Sequence, residues 1–215
     1  MPDNKRWNIG DIFKVFLFYF FMMLVGIPVF LRVSKQIFRF DLIEAFGQNT
    51  ILLSLSLVVN ILTCLYVFYI IRVRYGLPVT SLGFTVHNWK RDVKIGIKHY
   101  LIVLPVIILA GFVVDFVLRI FGIVPEQQDI LNKILNEDSL GVLTFMFFFG
   151  MLAAPVVEEI LFRGFLQSAV RTAFGKLKAI LISGFLFALV HLNAHVFLQI
   201  FILGLLLAYL FEKTE

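Results

Sequence analysis

The sequence predicts an all-α protein, a polytopic membrane helical bundle of about six spans. Three observations lead there. Of 215 residues, 60% are hydrophobic, 16% aromatic and 15% charged, where a soluble domain is about 45–50% apolar and about 25% charged. With a mean hydropathy of +0.96, the apolar excess is too large for a core and must face lipid. The apolar residues also gather in six runs, most of them near the roughly 20 residues that cross a bilayer as a helix. The charges are largely confined to the segments between those runs.

The first span is expected over Ile12–Leu31, with Pro28 near its end. It is too long for the apolar core of a signal peptide, and "VSKQ" follows it in place of a small-residue cleavage site, so it reads as a retained span. The second is expected over Thr50–Ile71. The segment "RVRYGLPVTSLGFTVHNWKRDVKIGIKH" is amphipathic and basic. It is expected along the interface, with Tyr75 and Trp89 at headgroup level. The third span covers Tyr100–Phe121, contains Asp115, is kinked by Pro105 and has a small packing face at Gly111. "VPEQQDILNKILNEDS" then reads as an acidic helical loop. A fourth helix starts near Leu140 and runs on to Ala173, "FGKLK" is a turn, and two further spans cover Ala179–His191 and Val196–Phe211. No repeat or linker divides the chain, so residues 1–215 are expected to form one integral membrane domain. Cys64 is the single cysteine and excludes a disulfide framework.

The net charge of +5 belongs to loops beside apolar runs. The expected partners are therefore membrane lipids and their anionic headgroups, and no nucleic acid. With the N-terminus inside, Arg32, Lys35, Arg39, Arg119 and Lys133 fall outside and Arg163 lies within a span. Of 19 Lys and Arg, that leaves 19 − 5 − 1 = 13 inside. The positive-inside rule then gives a cytoplasmic N-terminus in a cell membrane.

One stretch breaks the apolar pattern: "AAPVVEEILFRGFLQ", residues 153–167. A charge at the centre of a membrane helix costs about 2.5–3.5 kcal/mol on insertion scales, and such residues face a bundle interior or a wet cavity. On an α-helix Glu159 and Arg163 share a face with the carboxylate N-terminal, the favourable order for a pair. Glu158 points about 100° away. One acid is then neutralised and one is left to work. Pro155 removes a backbone donor and is expected to bend the helix just before the acids. Gly150 and Ala154 make a small-residue pair that would admit a neighbouring helix.

A second stretch, "FLFALVHLN", places His191 four residues after Phe187. Glu158 and His191 have their midpoint at 174.5, inside the "AFGK" turn. An antiparallel hairpin closed around Gly175 sets both at the same depth, roughly 24 Å from the turn. A carboxylate level with an imidazole can activate water or form part of a metal site. Each residue alone has an ordinary reading: acids and Arg163 snorkelling to headgroups, and a histidine packed in a core. Their joint occurrence favours a site. Asp115 reads as a bundle hydrogen-bond partner, His195 as a loop or interface residue, and His87 and His99 as interfacial.

These residues carry a family likeness. "EEILFR" matches EExxxR and "FALVH" matches FxxxH. With "ILGLLLAYLFEKT" they make residues 140–214 strongly resemble the CPBP family, which comprises type II CAAX prenyl endopeptidases and related bacterial proteases, some linked to bacteriocin self-immunity. The resemblance implies an intramembrane endopeptidase. Glu158 would be the glutamate that activates water, His191 the residue that holds or polarises it, and Glu159 and Arg163 supporting motif positions. It implies as substrate a membrane-associated peptide or prenylated protein tail. It leaves the cofactor open between a metal-free glutamate mechanism and a divalent metal such as zinc. The family's third motif, HxxxN, has no match before Glu215, so this 215-residue form is expected to be a poor peptidase unless His195 or Asn193 substitutes. Two other classes stand beside the enzyme: a truncated, non-catalytic membrane interaction or bacteriocin-immunity protein, and a transporter with a buried ion pair. The transporter is disfavoured, because the ionisable residues cluster on one hairpin.

Overall fold

The apolar runs are helices in the computed structural model, which describes residues 7–83, 88–123 and 139–214. Five helices are long and apolar enough to cross a membrane: α1 (Ile9–Ile37), α3 (Gln48–Arg74), α4 (Trp89–Ile120), α5 (Leu140–Phe174) and α7 (Phe197–Thr214). Between them lie the short α2 (Leu42–Phe46) and the 15-residue α6 (Lys176–Val190). The span expected at Ala179–His191 is thus α6, a helix about 22 Å long at 1.5 Å per residue. No strand occurs among the described residues. The chain is an integral membrane protein of all-α class.

Three helix starts have a side-chain cap. Asn8 and Asp11 form a capping box at α1: the Asn8 side chain accepts from the Asp11 amide at 3.0 Å, and Asp11 accepts from the Asn8 amide at 3.3 Å. Two of the helix's orphan donors are satisfied reciprocally. Asp41 accepts from the amides of Ile43 and Glu44 to start α2. Its carboxyl is held below the usual carboxylate range, first by its hydrogen bond from Lys35 at 2.7 Å. Ser139 accepts from the Val142 amide to start α5.

The contacts gather into two compact units. The described part of one comprises Trp7–Gly76 and residues 139–161. Within it α1 and α3 run antiparallel: Phe18 meets Tyr66 edge-on at 5.4 Å, and Asp11 binds both Arg74 and Tyr75. The midpoints of these pairs fall at 42–43, in the α2 connection. Asp11 is fully buried, and a buried carboxylate is tolerated because two donors converge on it.

The described part of the other unit comprises residues 77–83, 88–123 and 162–214. Helix α7 packs against α6 and α4, and α6 packs against the last turns of α5. Gly184 and Gly204 let α6 and α7 touch backbone to backbone. A Cβ on Gly204 would sit 2.9 Å from the Gly184 carbonyl oxygen, a close approach that small residues permit between membrane helices. Gly111 plays the expected role, since a Cβ there would lie 3.2 Å from Gln199 Nε2 of α7.

Three expectations are revised. The stretch Trp89–His99 is continuous with the third span as one 32-residue helix, α4. The backbone hydrogen bonds run through the change from basic to apolar composition, so the sequence boundary is not a structural one. Gly150 faces open space, with nothing within 4 Å of a Cβ placed on it, and is not a helix-approach site among the described residues. The helix before the acids is not simply bent at Pro155. A π-helical turn over Phe149–Ala153 leads into Pro155 near the start of the next α-helical turn, and the wider turn relieves the clash of the ring with the preceding carbonyl. His87 and the acidic loop at 124–138 lie outside the described residues.

Candidate active site

The motif "EEILFRGFLQ" lies where α5 changes character. Ala154–Glu158 is α-helical, and Glu159–Gln167 is π-helical. A π-turn closes at i→i+5 and is concentrated at functional sites. Glu159 and Arg163 therefore lie on this π-helical segment, and Glu158 closes the α-helical turn before it. Every residue from Ile160 to Val170 is buried.

In the first unit Glu158 and Glu159 are half-buried, beside buried Val157. The Tyr19 phenol of α1 lies within electrostatic reach of Glu158. Sequence reasoning had no signal for Tyr19, one aromatic among many in a run of Phe and Tyr.

In the second unit Arg163 and Phe187 form the centre. Arg163 is 1% exposed. Its guanidinium carbon lies 4.4 Å from the Phe187 ring centroid, and its Nη2 donates to the Gly204 carbonyl at 3.4 Å. Phe187 is also buried. Its ring meets Phe162 edge-on at 5.3 Å and His191 at 4.9 Å. One ring thus links the arginine of the first motif to the histidine of the second. Phe187 was visible in the sequence only as a residue on the face of His191, and its contact with Arg163 was not.

Within this unit, residues 162–174 and α6 form a hairpin around Gly175. Gly175 has φ +85°, a left-handed conformation that favours glycine, and it joins the end of α5 to α6. Ser183 donates to the Phe162 carbonyl at 3.2 Å, and Phe162 and Phe187 share the midpoint 174.5. Gly164 is required by packing: a Cβ there would lie 3.0 Å from the carbonyl oxygen of fully buried Leu82. At the base of the hairpin Glu212, 2% exposed at its side chain, accepts from Gln167 at 3.0 Å and Arg171 at 3.3 Å.

His191 follows the last residue of α6 and is exposed. Its Nδ1 lies 2.7 Å from the Phe187 carbonyl oxygen. A carbonyl only accepts, so Nδ1 carries a proton, and in the neutral ring Nε2 holds the lone pair. That nitrogen can accept a proton from water or ligate a metal. Among the described residues no three His, Cys, Asp or Glu side chains gather as a metal-ligand set. His195 does not lie idle in its loop: its Nε2 donates to Asp115, the bundle hydrogen bond expected of that acid. His99 donates from Nδ1 to the Ile95 carbonyl at 2.7 Å and accepts from Lys213 at 3.0 Å.

Comparison with curated proteins and with solved structures returned no match. The chain does match one family model, described as Rce1-like, type II CAAX prenyl endopeptidase, over residues 140–215. The matched residues contain EExxxR and FxxxH and extend from the start of α5, so this segment is similar to that family, in keeping with the CPBP resemblance of its motifs.

Proposed function

We propose that the protein is an intramembrane endopeptidase that hydrolyses a peptide bond near the membrane-anchored end of its substrate, using water activated by Glu158. The observation that carries the reading is the state of His191. A proton is held at Nδ1 by the Phe187 carbonyl, so that in the neutral ring of this exposed residue Nε2 is the acceptor, beside the Phe187 ring that stacks with Arg163. In the proposed reaction Glu158 accepts a proton as water attacks the carbonyl carbon, and the same proton passes to the leaving amine. His191 Nε2 accepts a hydrogen bond from the attacking water and orients it. Glu159 and Arg163 support the motif. The family description supports a tail of CAAX type, a short peptide beside a lipidated cysteine. The proposed setting is the cell membrane with the N-terminus in the cytoplasm.

The test is cleavage of a farnesylated CAAX peptide by the chain in lipid nanodiscs. Glu158→Gln is expected to abolish turnover at unchanged folded yield, and Glu159→Gln to lower the folded yield. Cysteines at 158 and 191 are expected to cross-link with a short reagent, and cysteines at 151 and 191 poorly. Glu158-independent turnover would overturn the assignment. Folded protein without any Glu158-dependent cleavage would favour a non-catalytic binding role.

A further inference from the structure

We propose that Asp115 is a positioning residue: acting through His195, it fixes the connector that presents the His191 imidazole. Its functional meaning rests on the peptidase reading above, and its first test does not.

The six residues 191–196 reverse the chain between α6 and α7. Leu192 has φ +48° and is 82% exposed. A non-glycine residue in the left-handed region costs on the order of 1–3 kcal/mol and persists only where its surroundings over-determine it. An exposed leucine side chain has little packing to hold it there, so the constraint must come from the two ends of the connector.

Both ends are tied. On the α6 side the His191 and Leu192 amides donate to Ala188 and Leu189 at 3.3 and 3.1 Å, and His191 Nδ1 donates to Phe187. On the α7 side the Asn193 side-chain oxygen accepts from the amides of His195 and Val196 at 3.1 and 3.4 Å and ties the turn before the helix. These bonds are local and would move with the connector. The tie to another part of the bundle is His195 Nε2 donating to Asp115 of α4.

That tie is in register with the packing of α4 on α7. Gly111 meets Gln199 one turn away, and His99 meets Lys213 at the far end. All three pairs have midpoints at 155–156, as two antiparallel helices in continuous contact require. Asp115 therefore has a reason to sit in an apolar span despite its insertion cost. It is the fixed acceptor against which the connector is set, and α4 carries no motif residue of its own.

The experiment uses the full chain with 15N-labelled histidine in nanodiscs, with the His191 ring signals assigned by difference from His191→Gln. The wild-type ring is expected as a single Nδ1–H tautomer. In Asp115→Ala the connector relaxes and the signals are expected to divide between tautomers. Adding Leu192→Gly, which adopts the left-handed conformation freely, is expected to restore the single form. Should Asp115→Ala not fold, the near-isosteric Asp115→Asn and the independent His195→Gln take the same reading. Unchanged His191 signals in a folded Asp115 or His195 variant would overturn the proposal. In the cleavage assay the same variant is expected to lose up to about 100-fold in kcat with KM unchanged, the scale of a misplaced catalytic group, and to recover with Leu192→Gly. Full cleavage by His191→Gln would refute the peptidase role of His191 while leaving the tautomer result to judge Asp115.

Discussion

Replacing Phe187 by leucine, alone and with Arg163→Met, separates the stacking at the motif centre from ordinary packing. Both residues are nearly inaccessible, at 4% and 1% exposure. In a bilayer the unfolded reference keeps its helices in hydrocarbon, so the usual water-to-interior transfer gain largely drops out and packing and polar contacts remain. Leucine fills much of the volume, which keeps the repacking cost below about 1.5 kcal/mol. What it removes is the ring. The cation–π contact at 4.4 Å is desolvated and worth about 2 kcal/mol. The edge contacts with Phe162 and His191 contribute about 0.5–1.5 kcal/mol each. Phe187→Leu is therefore expected to cost about 3–6.5 kcal/mol, with about 2 kcal/mol of coupling to Arg163→Met. The assay is a double-mutant cycle of equilibrium unfolding in bicelles. Losses that add to within about 0.5 kcal/mol would show that ring and guanidinium are energetically independent, and the linkage between the two motifs would fall with that result.

Gly164→Ala is expected to destabilise by up to about 2 kcal/mol, because overpacking against the Leu82 carbonyl costs about 1–3 kcal/mol and the better helix former returns about 1; a raised melting temperature in detergent would contradict the packing. Burial, and then the hydrogen bond to Asp11, push the Tyr75 phenol above its ordinary value. A raised folded-state value favours the protonated form, so the Tyr75 contribution is present below about pH 10 and is lost as pH rises through the folded value. The stability difference between wild type and Tyr75→Phe should accordingly shrink or reverse between pH 8 and 11.5, and a constant difference would count against it. A membrane-impermeant thiol reagent applied outside cells should label Asn136→Cys and spare Asn4→Cys; the reverse would invert the proposed topology.

Much of this molecule is legible in one dimension. Helices α3, α5, α6 and α7 lie within about three residues of their expected ends, and α1 runs six residues past its expected end, because hydropathy runs and the glycine at 175 act locally. The motif residues are equally legible, since a charge in an apolar helix is conspicuous. Local composition misled where the backbone ladder ignored it, as at Trp89–His99, where basic and apolar halves share one helix. It was silent where distance in sequence is large. That Arg163 stacks on Phe187, that Leu82 requires glycine at 164, and that Asp115 meets His195 depend on side chains brought together by helix packing. The π-helical course of the motif was equally hidden, because no residue-level propensity separates a turn closing at five residues from one closing at four. Periodicity and hydropathy report which face of a helix is apolar. Which neighbour that face meets, and in what register, is set by the summed packing of the helices within each unit, and the tertiary structure alone decided it.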